Sequence, residues 1–235
     1  MIDIHCHILS EVDDGSKNLE MSISMLKQAK ENKVKYICVT PHFKKYNQKH
    51  LEKIAKKYIE LRNIAKDMGI KLFLGSEIMY SHNTVKDLKR ALIPSINNTK
   101  YTLIEFPVYL DSKSIFDALY SLIAAGYLPI LAHVERYQEL NLDKVKELVD
   151  LGVVIQVNCK TITLGRLNKT YRYITNLINN NLVHVISSDA HNTSSRQFMN
   201  VKAAKIIENK YGSKTKDKLF RDNLLKILKG EKLWL

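Results

Sequence analysis

Glycine and proline are scarce, at 8 and 4 of 235 residues, which argues against long flexible linkers. Cysteine is scarcer still. Cys6, Cys38 and Cys159 are odd in number and widely spaced, so they form neither a disulfide framework nor a CxxC zinc motif. They point to a reducing, cytoplasmic compartment. No apolar run approaches the roughly 18 residues of a membrane span. The start, Met1-Ile2-Asp3-Ile4-His5, lacks the basic and apolar regions of a signal peptide. No glycine-rich loop follows any apolar run, which counts against nucleotide-binding doubly wound folds.

What is present is ordinary globular composition, 45% hydrophobic and 26% charged, with a net charge of +13. A basic surface attracts anions, although these lysines are spread along the chain rather than gathered in a tail. Short Val/Ile/Leu-rich runs read as buried parallel strands: 2–6, 35–40, 71–76, 101–106, 128–133, 153–158 and 184–188. Helical spacing lies between them. Leu19, Ile23 and Leu26 open the first helix, and Leu51, Ile54, Tyr58, Leu61 and Ala65 mark the second, with Gly69 as its C-cap. Ser114 with Asp117 resembles a capping box for a helix over 115–125. Further helices are expected over 142–151, 169–180, 195–211 and 216–229. Seven strand–helix units predict an α/β fold curled into a closed or nearly closed barrel, with a doubly wound open sheet as the rival and no internal boundary over 1–235.

Chemistry-bearing residues gather at the ends of these strands. His5 and His7 end the first, His42 follows the second, and Glu77 follows the third. Glu105 and His133 end the fourth and fifth, and Asp189 and His191 follow the seventh. Asp14, in the first loop, can join them. In α/β barrels the C-terminal strand ends form one face, which carries the active site. Alternation along the first strand puts Asp3, His5 and His7 on one face, pointing into the barrel, and Ile2 and Ile4 on the other. A lone HxH is usually coincidence. Five of 8 histidines at strand ends beside four carboxylates is a stronger signal, and it suits Zn, Mn or Fe. His50, His82 and His184 fall outside the set and read as surface or core histidines. Three divalent ions against four carboxylates would leave about two positive charges, an excess suited to a phosphate ester dianion. Arg136 and Arg196, in loops after the strand ends, can each donate two parallel hydrogen bonds to phosphate oxygens.

Ile4-His5-Cys6-His7, Val12-Asp13-Asp14-Gly15, Thr40-Pro41-His42, Gly75-Ser76-Glu77, Ile104-Glu105-Phe106-Pro107, Ala132-His133-Val134-Glu135-Arg136 and Ser188-Asp189-Ala190-His191-Asn192 resemble the PHP (polymerase and histidinol phosphatase) superfamily. The likeness is greatest to the CpsB-type bacterial tyrosine phosphatases of capsule and exopolysaccharide operons. That resemblance implies a distorted seven-stranded, TIM-like (β/α) barrel with three divalent ions, manganese first, with iron and zinc as other choices. It implies one ion on His5, His7, Glu77 and Asp189, a second on Glu77, Glu105 and His133, and a third on Asp14, His42 and His191. A hydroxide bridging the metals would attack phosphorus in line while Arg136 and Arg196 hold the phosphate. Cys6 stands where relatives are expected to have Ser, and Gln197-Phe198 where they often carry prolines.

The implied substrate is the phosphotyrosine tail of an autophosphorylating bacterial tyrosine kinase that regulates polysaccharide synthesis. The implied place is the cytoplasm, at the inner membrane face through that kinase. A cysteine-based mechanism needs Cys and Arg separated by five residues. Cys159 and Arg166 have six between them, Cys38 meets Lys44, and Cys6 meets Asp13, so none fits. Histidinol-phosphate phosphatase is the nearest enzyme alternative. A PHP-type exonuclease would suit the charge, but no polymerase domain is attached and no nucleic-acid partner is expected. A non-catalytic phosphate-binding scaffold would be expected to have lost ligands, and here the set is complete.

Overall fold

A computed structural model describes residues 1–44 and 46–233. Nine strands are found among them: β1 Ile2–Asp3, β2 Tyr36–Val39, β3 His42–Phe43, β4 Lys71–Leu74, β5 Glu77–Met79, β6 Tyr101–Glu105, β7 Leu128–Leu131, β8 Val154–Asn158 and β9 Val185–Ser187. All pair in parallel, β1-β2-β4 in one sheet and β3-β5-β6-β7-β8-β9 in a second that curls as a half-barrel.

The expected α/β fold of parallel strands forms, but the strands expected to make a distorted seven-stranded barrel are divided between two sheets, six strands in the half-barrel. The runs at 35–40 and 71–76 each break, at Thr40-Pro41 and at Gly75-Ser76, and each resumes in the other sheet as β3 and β5. Proline has no N–H to offer a ladder, which accounts for the first break. Gly75 lies so close to its neighbours that an added Cβ would stand 2.9 Å from Ile96 and 3.0 Å from the Cys38 sulfur. No ladder pairs the first and last strands among the described residues; an isolated bridge, Cys6 with Ala190, and the Asp189 N–H to His5 carbonyl bond join the segments that follow them.

The helices are α1 Leu19–Glu31, α2 Gln48–Asp67, α3 Thr84–Lys89, α4 Ser112–Ala124, α5 Leu142–Asp150, α6 Cys159–Ile162, α7 Lys169–Asn179, α8 Asn200–Asp217 and α9 Asn223–Lys229. Asn18, Asn47, Asn141 and Asn168 cap α1, α2, α5 and α7 by accepting backbone N–H groups. Asp111 caps α4 through Ser114 N–H, so the expected Ser114–Asp117 box is replaced by a cap one turn earlier. The helix expected from 195 starts at Asn200, because Asn192 Oδ1 holds the N–H groups of Ser194 and Arg196 in a turn. It bends at Gly212 (φ 85°) and runs on through a π-helical stretch, Lys218–Asp222, into α9.

The main apolar core, with Leu26, Ile37, Leu61, Ile104, Leu119 and Leu148, lies between strands and helices. A second cluster joins Ile2, Ile4, Leu103, Ile130 and Val185 to Leu224 and Ile227 of α9. Leu103 shares a face of β6 with Glu105, so this cluster floors the strands beneath the site. The alternation expected for β1 fails after Asp3. Its buried carboxylate accepts from His5 N, Ser188 N and Asn200 Nδ2, which turns Asp3 away from the other histidine-side groups.

His184 is a core histidine, its Nδ1 accepting Ile155 N–H at 3.0 Å. Burial, with Lys218 nearby, lowers its pKa to about 4. The unfolded chain takes up this proton near pH 6.5 and the folded chain resists it. Stability is thus full above pH 6.5 and falls toward pH 4, by up to about 3 kcal/mol in all. His184→Gln keeps an acceptor without the charge. Urea titrations at several pH values should show a flatter acid slope in the variant; identical slopes would refute the assignment.

Candidate metal centre

All nine residues expected at the strand ends meet in one cluster. Glu77 is its centre. Oε1 lies 2.8 Å from His133 Nε2 and 3.2 Å from His5 Nε2, and Oε2 lies 3.1 Å from both His7 Nε2 and His42 Nδ1. His42 also faces Glu105 at 3.0 Å and Asp14 at 3.2 Å, and His191 Nε2 faces Asp14 at 3.5 Å. Asp189 Oδ1 lies 3.4 Å from His5 and 3.6 Å from His7. Register explains part of this convergence, because His42 pairs directly with Glu77 across β3–β5 and Met79 with Glu105 across β5–β6.

Burial is graded from floor to rim. His5, His7, Glu77, His133 and His191 are at most 1% exposed, whereas the Asp14 side chain is 63% exposed. Burial alone would raise the pKa of Glu77, but His5, the hydrogen bond with His133 and the nearby His42 hold it well below the usual carboxylate range. Burial likewise opposes charge on His7, yet Asp13 and Glu77 raise it to about 9. Asp189 is held low against burial by His5, with His7 and Arg136 assisting.

Apart from His133, whose Nε2 bonds Glu77, most inward atoms of the cluster lie near oppositely charged groups without being aligned for hydrogen bonds. His5 Nε2, His7 Nε2, His42 Nδ1, His191 Nε2 and Glu105 Oε1 are buried and have no hydrogen-bond partner. Orphaned donors of this kind around one centre fit divalent cations. Four overlapping groups have ligand atoms within 4.8 Å of one another: His7/Asp14/His42/His191, His5/His7/Asp189, His5/Glu77/His133 and His42/Glu77/Glu105. The donor set, imidazole plus carboxylate, suits Mn, Fe or Zn.

Sequence reasoning missed the groups that aim these ligands. Asp13 Oδ2 takes His7 Nδ1 at 2.8 Å and His42 N–H at 3.0 Å, and Oδ1 takes Gly15 N–H. Gly15 is obligatory there, since a Cβ would stand 2.2 Å from the His7 carbonyl oxygen. Gln156 Oε1 lies 3.1 Å from His5 Nδ1 and accepts His133 N–H at 2.8 Å. Its amide donates to Asn158, which in turn donates to Asp189. Holding Nδ1 from outside leaves Nε2 facing inward. The available signal for Gln156 was a polar residue inside the apolar run Val154-Ile155-Gln156-Val157.

Arg136 and Arg196 reach the rim and both bond Asp189, Arg196 Nη2 to its two oxygens at 2.9 Å each. His50 and His82 lie apart from the metal groups. Cys6, Cys38 and Cys159 are buried, and burial pushes each thiol pKa up, which disfavours a thiolate nucleophile.

A family model described as capsular polysaccharide synthesis, CpsB/CapC, matches residues 1–229. The tyrosine-protein phosphatase CpsB of Streptococcus pneumoniae is 36% identical over 241 residues, covering 97% of this chain and 98% of that one. The tyrosine-protein phosphatase YwqE of Bacillus subtilis is 33% identical, covering 91% and 86%. A crystal structure from work on YwqE and CpsB, described as unique metal-dependent tyrosine phosphatases, superposes with a TM-score of 0.85 at 29% identity, over 100% of this chain and 96% of that one.

Gln156→Leu is expected to strand His5 Nδ1 and His133 N–H and to lower stability by about 1–3 kcal/mol. Bound metal per chain should fall with it. Unchanged urea midpoint and unchanged metal content would show that Gln156 merely fills space.

Proposed function

The chain belongs to the CpsB/CapC family, and on that premise we propose that it is a metal-dependent protein-tyrosine phosphatase formed as one domain over 1–235. The observation that carries the reading is the gathering of Glu77 and eight other side chains able to hold metal at the C-terminal strand ends, with two arginines on the rim. His5, His7, Asp14, His42, Glu77, Glu105, His133, Asp189 and His191 would hold three divalent ions, manganese first. These ions supply the positive charge that acidifies a water for attack on phosphorus and neutralises the phosphate oxygens.

The rest of the work falls to the chain. Asp13 and Gln156 orient His7 and His5 and so fix the floor of the site. Arg136 and Arg196 release Asp189 and receive the phosphate dianion from the open side. Asp189 then turns its carboxylate fully to the centre. The second strand of support is the leaving group. A tyrosine phenolate, with a pKa of about 10, departs far more readily than an alkoxide and needs little proton donation.

The substrate we infer is a phosphotyrosine tail of an autophosphorylated bacterial tyrosine kinase in capsule or exopolysaccharide synthesis. No helix among the described residues is long and apolar enough to cross a membrane. Work at the inner membrane face would therefore follow from binding the kinase.

Protein stripped by a chelator and reloaded with Mn should release phosphate from a phosphotyrosine peptide in preference to histidinol phosphate. Thiol alkylation should leave that activity intact and His42→Ala should abolish it. Arg136→Ala and Arg196→Ala should each lower kcat/KM by about tenfold to a hundredfold, the worth of a charge-assisted hydrogen bond. Preference for histidinol phosphate would move the chain to small alkyl phosphates, and activity without metal would overturn the mechanism.

A further inference from the structure

The rim beside Asp189 opens into a side cleft of about 330 Å³. Arg136 and Arg196 form the wall shared with the metal centre, and Lys160, Thr161, Thr170 and Gln197 line the remainder. Lys160 sits in α6, which begins where β8 ends, so it lies on the same end of the sheet as the metal ligands. Its Nζ donates to the Ser195 carbonyl oxygen at 3.1 Å, which draws the ammonium toward the segment carrying Arg196. It makes no ion pair with a described carboxylate.

The carboxylate oxygens on the cleft are either engaged or shut off from solvent. Asp189 takes both arginines and Asn158. Glu135 Oε1 takes Asn158 N–H and the Thr161 hydroxyl, and its Oε2 is shut off from solvent. The cleft therefore presents an ammonium with two donors to spare, beside hydroxyl and amide groups, next to the two arginines.

We infer that this cleft is a second anion subsite, in which Lys160 receives an acidic group flanking the phosphotyrosine. The inference rests on the phosphatase reading. A carboxylate or a second phosphate would serve, since Lys binds either as a point charge. The cleft adjoins the metal centre through Asp189, Arg136 and Arg196, so it borders the place where a peptide carrying the phosphotyrosine would cross the rim. Lys160 is thus a specificity-determining residue, apart from the metal-ligating set.

The test compares peptides carrying Asp, a second phosphotyrosine or Ala beside the target position, on either side of it. Kd is measured with the Mn-loaded protein on versions with a non-hydrolysable phosphonate, and turnover on the phosphotyrosine versions. Wild type should bind the acidic peptides about three- to tenfold more tightly than the Ala peptides, the range of a partly exposed charge pair. Lys160→Met should remove the preference and Lys160→Glu should invert it. Lys100→Glu, beside the start of β6 and so at the opposite end of the sheet, should leave it unchanged and so exclude an effect of the overall +13 charge. The Asp and phosphotyrosine arms separate a carboxylate from a second phosphate as the natural occupant.

No preference in wild type, or one that survives Lys160→Glu, would overturn the subsite. So would an equal loss on all peptides, which would mean that Lys160 acts only by holding Ser195. Absence of turnover would instead sink the phosphatase reading, with the binding series still deciding the cleft.

Discussion

A carboxylate buried as completely as Glu77 would be costly alone, and the rest of the centre answers that constraint. Four histidines stand within 3.2 Å of its two oxygens. Each histidine brings its own desolvation cost, and three histidines of the centre have a partner behind them. Asp13 stands behind His7 and Gln156 behind His5, and the Asp189 carbonyl oxygen lies 3.0 Å from His191 Nδ1. Asp13 is in turn held ionised, against burial, by His7 and the N–H groups of Gly15 and His42. The compensation is therefore built in layers outward from one carboxylate. The inward donors that remain orphaned are the places where a cation completes it.

The fold meets this demand by interrupting its own strands. An unbroken ladder would carry apolar side chains regularly to the strand ends. Breaking after Val39 and Leu74 restarts the chain as β3 and β5, whose first residues are His42 and Glu77, paired with one another. Two further ligands stand on left-handed backbone, His133 at φ 35° and Asp189 at φ 53°. Such conformations cost about 1–3 kcal/mol and persist where the surroundings over-determine them. Here His133 N–H is tied to Gln156 and Asp189 N–H to the His5 carbonyl oxygen. The hydrogen bonds that aim the ligands thus also hold the strain.

Much of this was legible in the sequence. Apolar runs of strand length, and ionisable residues at their ends, predict the order of the elements and the convergence of the nine side chains. Gly69, Gly126 and Gly152 follow helices in left-handed conformations, as their placement after each apolar face implies. What could not be read depends on contacts between distant segments. The strand breaks need the other sheet to receive them. The departure of Asp3 from its expected face needs Ser188 and Asn200, nearly two hundred residues away. Asp13 looks no different from Asp14 in sequence, yet one aims His7 from behind and the other lies on the rim. Only the Gly15 turn, too tight for a Cβ, separates their directions.

The rim differs from the floor in what holds it. Below, His5, His7 and His191 are aimed by hydrogen bonds in a water-poor setting, where such bonds are strong. Above, Arg136 and Arg196 are about one-third exposed and share one anchor, Asp189. That anchor has a competing attraction toward the centre through His5 and His7. Two cations on one carboxylate are therefore the part of the site most readily exchanged for another anion. On the proposed function, a phosphate dianion would offer them more acceptors and twice the charge, while cations at the centre would draw Asp189 the other way. Rigid floor and exchangeable rim follow from the same burial gradient, and that gradient follows from placing Glu77 at the bottom of it.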